Sequence, residues 1–303
     1  MRLRQIEDFL AVIEEGSIHA AARKTGLSQP AITKSLRGLE AELHTQLVRR
    51  TNHGVVATPA GRAFYARARA AQTELRKAEE EIAQLAGQGG GSVAFGVGPA
   101  AALLIAPEAV LRFHQQYPAV SAHITEGHPS SLLPMMRDGT LDFVMGPKLD
   151  AKLDPALNFR PLFREHFIVV GRKNHPMRNA GSIKQLGATT GVGRLRDTST
   201  PLEPVSRLFA AAGMPPPHMI AQCDSYNLAL SMIAKSDALG IYGRRLLAAS
   251  RPASDLLQEI AIAEPMPTMT IGMLVRKDPP LTPVAAAMAK IVTAVARQLA
   301  AAR

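Results

Sequence analysis

A glycine-rich run at residues 87–92 divides this chain into two parts whose apolar residues follow different patterns. Before the run, apolar residues recur every three or four positions, which predicts amphipathic helices. After it, short apolar runs alternate with helical stretches, which predicts strands connected by helices in parallel βαβ units. The run itself has the composition of a flexible linker. The sequence therefore predicts a mostly helical N-terminal part joined to a larger α/β part.

Three short helices are predicted within the first 45 residues. Residues 6–13 place their apolar side chains on one helical face, and residues 18–25 form an alanine-rich helix that a neighbouring helix can approach closely. Gly26 ends that second helix, and Ser28 caps a third. A helix, a tight turn and a further helix with a polar outer face together predict a helix-turn-helix.

The third helix carries hydrogen-bonding groups on its outer face, with Gln29, Thr33 and Arg37 four residues apart and Lys34 beside them. The DNA major groove is about 12 Å wide and admits one helix, so such groups can contact base edges and phosphates. A hairpin over 47–58 follows and adds a basic tip. We predict binding to double-stranded DNA through Ser28, Gln29, Pro30, Thr33, Lys34, Arg37, Arg49, Arg50, Thr51 and His53. The alternative is that these polar groups are the solvated face of a helical bundle.

A long helix is predicted from Pro59 to about Leu85, with Thr58 as its N-cap. Its apolar positions alternate in steps of four and three residues, which is a coiled-coil seam of three heptads. The seam consists of Phe64, Ala68, Ala71, Leu75, Ala78, Ile82 and Leu85. We expect this helix to pair with a second helix, and the alternative is packing on its own domain.

The α/β part is expected to form two lobes of about 100 residues each, with a ligand cleft at the carboxyl ends of its strands. Strands are predicted near 92–97, 120–125, 141–145, 167–171, 218–223, 257–262 and 269–276, and helices near 100–117, 130–138, 202–212, 225–235 and after Thr282. The predicted domain limits are 1–58 for the DNA-binding domain, 59–86 for the long helix, 87–91 for a hinge and 92–303 for the two-lobed domain. Within the last, lobe I covers about 92–162 and 268–303, and lobe II covers about 163–267.

Composition and charge exclude several classes of protein. With 47% hydrophobic and 20% charged residues the chain is globular, and a net charge of +10 favours an anionic partner. The single cysteine, Cys223, excludes an intramolecular disulfide and a multi-cysteine zinc site, and a redox sensor would need a second cysteine. No apolar run reaches the roughly 18–20 residues of a membrane span, and no apolar N-terminal segment resembles a secretory signal. We expect a cytoplasmic location.

An enzyme is the main competing interpretation. The sequence has no Gly-x-Ser-x-Gly elbow, no Walker loop and no His-Glu-x-x-His helix, and its nine histidines are scattered. We therefore expect no catalytic residues, no metal and no cofactor. A solute-binding protein would share the two lobes but would need neither the N-terminal helices nor the long helix.

Four runs in the N-terminal part form a specific pattern: residues 9–18, 20–22, 27–36 and 39–43, continued by Arg49-Arg50 and Thr58-Pro59-Ala60-Gly61. This pattern resembles the winged-helix signature of LysR-type transcriptional regulators. Weaker matches follow at Glu126-Gly127, Leu132, 139–142 and His175-Pro176. The resemblance implies a dimeric or tetrameric DNA-binding regulator with a periplasmic-binding-protein-like effector domain. It also implies that the helix after Thr58 is a dimerising linker helix and that RNA polymerase is a partner.

The chain departs from the family pattern at several positions. Val48 stands where phenylalanine is usual, and His44 stands where glycine is common; we interpret both as packing positions. Residues 238–243 replace a Gly-x-Gly-Ile pattern, and Pro99-Ala100 lack the hydroxyl that family members often have there. These last departures lie near the predicted cleft, so they bear on which effector fits.

Three predicted helix starts, at 98–101, 128–131 and 194–201, offer backbone N–H groups that suit a carboxylate or sulfonate. We predict an organic anion as the effector. The predicted effector-binding residues are Pro99, Ala100, His128, Ser130, Arg196, Thr198 and Thr200. The alternative is that each is an ordinary cap or loop residue.

Overall fold

The computed structural model describes residues 1–52, 54–86, 90–148, 154–187, 189–193, 208–215, 217–250 and 253–301. The chain forms two compact units: Met1–Ala86 with Arg137–Thr140, and Gly87–Met136 with Leu141–Arg303. Each unit has its own buried core, and each is described separately below.

The first unit contains the predicted helices and the predicted hairpin. Its elements are α1 (Leu3–Glu15), α2 (Ile18–Thr25), α3 (Gln29–Glu42), β1 (Val48–Thr51), β2 (Gly54–Ala57) and α4 (Pro59–Leu85). Gly16 and Gly26 end the first two helices in the left-handed conformation, and the Ser28 hydroxyl accepts the Ala31 N–H to begin the third. This is the winged helix-turn-helix arrangement predicted from the sequence.

The core of this unit lies between α1, α3 and the start of α4. Phe9 is fully buried and meets Phe64 edge-on, with ring centroids 5.2 Å apart. Ile32, Leu36 and Leu39 present the buried face of α3. Because these apolar residues face inward, the polar residues of α3 are left on the outer surface.

The second unit is a mixed α/β fold. Its helices are α5 (Pro99–Leu104), α6 (Ala106–Gln116), α7 (Pro129–Arg137), α8 (Tyr226–Ala234), α9 (Arg244–Ala249), α10 (Ala253–Leu256) and α11 (Pro283–Ala301). Its strands are β3 (Ser92–Val97), β4 (Ser121–Glu126), β5 (Phe143–Pro147), β6 (Leu157–Arg172), β7 (Gly191–Gly193), β8 (Met219–Gln222), β9 (Gly240–Gly243), β10 (Leu257–Ile260) and β11 (Thr268–Arg276).

The strand pairing is only partly the parallel arrangement that the sequence predicts. In the main sheet the order is β10-β6-β11-β5-β3-β4, with β9 also paired to β6. β3 is parallel to β4 and β5, as predicted, but β6 pairs antiparallel with β9, β10 and β11. The first part of β6 pairs with β11 and its last part with β9 and β10, so this 16-residue strand runs through the predicted lobe limit at 162/163.

Two other predictions need correction or lie beyond the described residues. The helix predicted over 100–117 is two helices, α5 and α6, because the backbone at Ile105 is non-helical and Pro107 begins a new first turn. The helix predicted near 202–212 is described only at 208–211. The strand β9 and the helix α9 that follows it were not predicted.

α11 is the one described helix that is long and apolar enough to cross a membrane by length and composition. Seven of its residues are buried, and it packs against α6, β3 and β6. That packing is what a core helix of an α/β domain makes.

Candidate functional site

The predicted recognition surface lies on the outer face of α3. Gln29, Pro30, Thr33, Lys34 and Arg37 together line one shallow depression that is open to solvent. All are exposed except Thr33, which is half-buried. Ser28 lies just before them as the N-cap, so its hydroxyl is already used by the Ala31 N–H. The structure thus brings together the α3 residues that the sequence singled out.

The cations of this surface have no partners within the described part of the chain. Lys34, Arg37, Arg49 and Arg50 form no ion pair or side-chain hydrogen bond with any described residue. Lys24 differs, because its ammonium lies 2.9 Å from Glu15 and 3.1 Å from Glu14. Hydrogen bonds to Glu15 and then Glu14 raise the pKa of Lys24 above its ordinary value. The unpaired cations are the ones available to phosphates.

The hairpin β1–β2 presents its two arginines on opposite faces. Arg49 lies opposite Val56, which is exposed, and Arg50 lies opposite Val55, which is buried. Side chains of adjacent strand residues point to opposite faces, so Arg49 shares the outer face. The Thr51 hydroxyl donates to the Gly54 carbonyl at 3.1 Å. His53, predicted to bind DNA, lies outside the described residues.

Side-chain hydrogen bonds to the backbone hold the hairpin in a fixed position. The Glu40 carboxylate accepts the N–H groups of Leu47 and Val48, at 2.8 and 3.1 Å. The Thr58 hydroxyl accepts the Gly61 N–H at 2.9 Å and donates to the Gln46 carbonyl at 2.7 Å. A Cβ at Gly61 would lie 1.9 Å from the Leu47 carbonyl oxygen, so only glycine fits. The Thr58–Gly61 motif therefore fixes the position of the hairpin relative to the start of α4.

The seam of α4 divides into two parts. Phe64 and Ala68 pack into the core of the first unit. Further along, Leu75, Ile82 and Leu85 are 49%, 68% and 74% exposed. Packing on its own unit accounts for the first turns and for Thr73 and Lys77, which are buried. Leu75, Ile82 and Leu85 form an apolar stripe that a single chain leaves exposed.

The second unit contains a cleft with two adjoining cavities. The inner cavity, of about 220 Å³, is lined by residues from both predicted lobes, including Pro99, Ala100 and His128 from one and Glu165 and Phe167 from the other. The outer cavity, of about 540 Å³, shares Pro99, His128 and Leu246 with it. We call them the inner and outer cavity.

The predicted effector residues have different outcomes. Pro99, Ala100 and His128 line the inner cavity. Ser130 is exposed on α7 and lines neither cavity. The neighbouring Ser131 hydroxyl donates to the His128 carbonyl at 3.0 Å. The remaining three, Arg196, Thr198 and Thr200, lie outside the described residues.

A histidine–aspartate contact links the two predicted lobes beside the outer cavity. The His128 Nε2 atom lies 3.0 Å from the Asp224 carboxylate. His128 follows β4 in predicted lobe I, and Asp224 precedes α8 in predicted lobe II. Asp224 is largely exposed, so this contact is a modest one in water.

Glu165 is the buried carboxylate of the inner cavity and is 2% exposed. One carboxylate oxygen, Oε1, accepts the Arg245 N–H at 3.1 Å, at the start of α9. The other, Oε2, is shielded from water and has no hydrogen-bond partner among the described residues. Loss of hydration raises the pKa of this carboxyl above its ordinary value, and the N–H groups of Arg245 and His166 partly offset that rise.

Two tyrosines lie near Glu165. Tyr226 and Tyr242 meet edge-on with ring centroids 5.5 Å apart. Burial, and then the proximity of Tyr242 and Glu165, raises the pKa of Tyr226, and its hydroxyl has no partner among the described residues. Sequence reasoning missed all three residues. For Glu165 a signal existed, because strand alternation places it on the buried face with Phe163.

Within the described residues, no group of three His, Cys, Asp or Glu side chains is arranged to hold a metal ion. Cys223 is half-buried, and its thiol lies 3.6 Å from the Ser225 carbonyl oxygen. Cys223 is not among the described residues that line the inner or the outer cavity.

Comparison with known proteins gives two family matches. Residues 3–62 match the bacterial regulatory helix-turn-helix protein, lysR family, and residues 86–297 match the LysR substrate binding domain. The chain is 29% identical over 286 residues to the HTH-type transcriptional regulator GalR of Pseudomonas putida, covering 94% of this chain and 72% of that protein. It is 28% identical over 289 residues to the SDS degradation transcriptional activation protein of a Pseudomonas species, covering 94% of each.

Solved structures show the same fold. CbnR, a LysR family transcriptional regulator, matches 98% of this chain and 99% of its own with a TM-score of 0.72 at 21% identity. Full-length CbnR in complex with its target DNA gives the same TM-score and covers 97% of this chain and 100% of its own. The arrangement of a winged helix followed by an α/β unit is therefore that of these regulators.

Proposed function

The chain belongs to the LysR family of DNA-binding transcriptional regulators, and we propose that a small effector bound between its two lobes modulates its binding to a specific operator. Its relatives are transcriptional regulators and not enzymes. Within this proposal, the DNA-binding domain, linker helix, hinge and lobes have the limits predicted from the sequence.

The observation that carries the DNA-binding assignment is the outer face of α3. Groups able to read base edges, Gln29 and Arg37, lie in the same depression as Lys34, a cation suited to phosphate. Because α3 buries its apolar residues in the core, this face is free to enter a major groove. The hairpin adds Arg49 and Arg50 for the flanking backbone.

The test is footprinting of the protein on the DNA upstream of its own gene, followed by binding isotherms for variants. Gln29→Ala and Arg37→Ala should each weaken specific binding by about 1–3 kcal/mol and relax base preference, because each removes contacts to base edges. Lys24→Ala is the matched control, since that lysine is a nearby cation already paired with Glu14 and Glu15. It should bind the operator like the wild type.

The assignment of α3 fails if Gln29→Ala, Arg37→Ala and Lys34→Ala all bind the footprinted site as the wild type does. It also fails if Lys24→Ala costs as much as Arg37→Ala, because net charge alone would then account for the binding. If Arg37→Ala loses the same affinity for unrelated DNA as for the operator, Arg37 contacts the phosphates and not the bases.

We further propose that the chain acts as a homodimer or homotetramer in the cytoplasm and contacts RNA polymerase. The exposed stripe of Leu75, Ile82 and Leu85 supports dimerisation, since an exposed apolar seam on a helix favours pairing with its copy. A two-fold dimer would present two α3 helices to a palindromic site.

The effector site in this proposal is the cleft formed by the inner and outer cavities. The sequence predicts a carboxylate or sulfonate there, bound in part by Arg196, Thr198 and Thr200. Those three residues lie outside the described part of the chain. The described walls have a different chemistry, which leads to a more specific inference about the ligand.

A further inference from the structure

We propose that the cleft takes a largely apolar ligand whose polar end donates hydrogen bonds, such as an amidine, amine, amide or alcohol, and that Glu165 is the acceptor. The inference rests on the proposed function of the cleft as the effector site and specifies the class of effector. It differs from the organic anion that the sequence alone favours.

The walls of the inner cavity are mainly hydrocarbon. Side chains from six strands line it, among them Phe167 and Val169 of β6, Met219 of β8 and Ile271 of β11. An apolar body fits such walls because its transfer from water is favourable and leaves no polar group of the ligand unpaired. A volume of about 220 Å³ suits a molecule with one ring or a short branched chain.

The polar end of the ligand is specified by Glu165. Its carboxylate has lost its hydration on folding, and Oε2 has no donor among the described residues. A buried polar atom without a partner costs free energy, so a ligand N–H or O–H that reaches Oε2 recovers a hydrogen bond that water does not supply. A hydrogen bond to a charged acceptor is also among the stronger ones.

The Glu165 carboxylate is fixed in place by its surroundings. Its Oε1 atom is held by the Arg245 N–H, and a Cβ at Gly243 would lie 2.7 Å from the Glu165 Cγ atom. The absence of a side chain at Gly243 is therefore what gives the Glu165 side chain its room. A carboxylate held in this way is prepared for a ligand whose donor approaches from the cavity.

The charges of the described cleft lining point in the same direction. Among the described residues lining the inner and outer cavities, the carboxylates are Glu126, Glu165 and Asp224, His128 is paired with Asp224, and there is no lysine or arginine. A carboxylate or sulfonate in the inner cavity would lie beside the buried Glu165 carboxylate, where the dielectric constant is low. A neutral or cationic donor would not.

The experiment compares two probes of the same size and shape, benzamidine and benzoate, on the full-length protein. Melting temperatures and calorimetric titrations at millimolar probe concentration report binding. Benzamidine should raise the melting temperature, and benzoate should not. Glu165→Gln should weaken benzamidine binding at least about tenfold, because it removes the charge of the acceptor. Glu108→Gln, an exposed carboxylate on α6 paired with Arg112, is the matched control and should bind benzamidine as the wild type does.

Several results would overturn the inference. Stabilisation by benzoate but not by benzamidine would support the organic anion instead. If an Arg196→Ala variant were then no longer stabilised by benzoate, Arg196 would be identified as the residue that binds the anion. Benzamidine binding that survives Glu165→Gln unchanged would remove Glu165 as the acceptor, and no binding of benzamidine would reject the ligand class. If Glu165→Gln does not fold, the comparison of the two probes on the wild type decides alone.

Operator binding is measured on the same samples, because it separates this inference from the proposed function. Glu165→Gln should bind the footprinted DNA as the wild type does. A wild-type protein that binds no DNA specifically would contradict the proposed function, whichever probe occupies the cleft.

Discussion

At the residue scale, His44 shows how one position can be misread from sequence. We interpreted it as a packing position, and that interpretation is wrong: His44 has a φ of 50° and is exposed. Its N–H bonds to the Ala41 carbonyl and the Thr45 N–H to the Glu40 carbonyl, which is the Schellman end of α3. The position requires a left-handed backbone, and that explains why glycine is common there among the proteins this sequence resembles.

His44→Gly should stabilise the first unit. A side chain in the left-handed conformation costs about 1–2 kcal/mol, and the greater freedom of glycine in the unfolded chain offsets about 0.5–1 kcal/mol of the gain. We expect the free energy of unfolding to rise by about 0.5–1 kcal/mol, measured by calorimetry. His44→Ala is the control, because alanine keeps the Cβ and so should give no gain. Equal stabilisation by both would mean that the imidazole, and not the backbone, is unfavourable.

At the scale of elements, α4 combines two roles along its 27 residues. Its first turns complete a core, through Phe64 and Ala68, and its later turns expose Leu75, Ile82 and Leu85. At 1.5 Å per residue the helix is about 40 Å long, which is longer than the three short helices need for packing. The exposed turns therefore suit a partner helix.

Leu75→Glu should disrupt the dimer. The substitution places a charge without an opposite partner in an apolar seam, and an unpaired buried charge costs several kcal/mol. The variant should sediment as a smaller species and lose affinity for a palindromic site at the same time. Leu228→Glu, at a leucine of α8 that is 51% exposed against 49% for Leu75, is the matched control and should assemble normally. A Leu75→Glu protein that sediments like the wild type would show that the seam packs within one chain.

The helices and strands also show which features can be predicted from the sequence. Elements with local start and stop signals were predicted well: Ser28 and Thr58 cap helices, and Gly16 and Gly26 end them. Features set by distant pairing were not. β6 was predicted only over 167–171 because Arg160, Pro161 and Arg164 interrupt the apolar pattern, whereas pairing with β11 extends the strand to 16 residues. The cleft residues were missed for a related reason, since Glu165 and Tyr226 come together only through the fold.

At the scale of the whole molecule, both parts of the chain share the net charge of +10, with +3 in residues 1–86 and +7 in residues 87–303. Lys34, Arg37, Arg49 and Arg50 of the first unit are unpaired among the described residues, whereas the described lining of the cleft contains carboxylates and no lysine or arginine. The basic surplus of the second part favours an anionic effector by sequence alone. The described lining of the cleft supports instead the hydrogen-bond-donating ligand that we propose.

The unpaired cations of the first unit predict how operator binding depends on salt concentration. If Lys34, Arg49 and Arg50 contact phosphates, a dimer makes roughly six such contacts, and the logarithm of the affinity should fall with the logarithm of salt concentration with a slope of about −5. A single chain would give about −3. Arg49→Gln should reduce the slope by about one unit per bound subunit, because it removes one released counterion from each. Arg69→Gln removes a cation that already pairs with Glu14 at 2.9 Å, so it should leave the slope unchanged. Fluorescence anisotropy between low and physiological salt measures these slopes. A dimer with a slope of about −2, or an Arg49→Gln slope equal to that of the wild type, would show that the hairpin does not touch the DNA backbone.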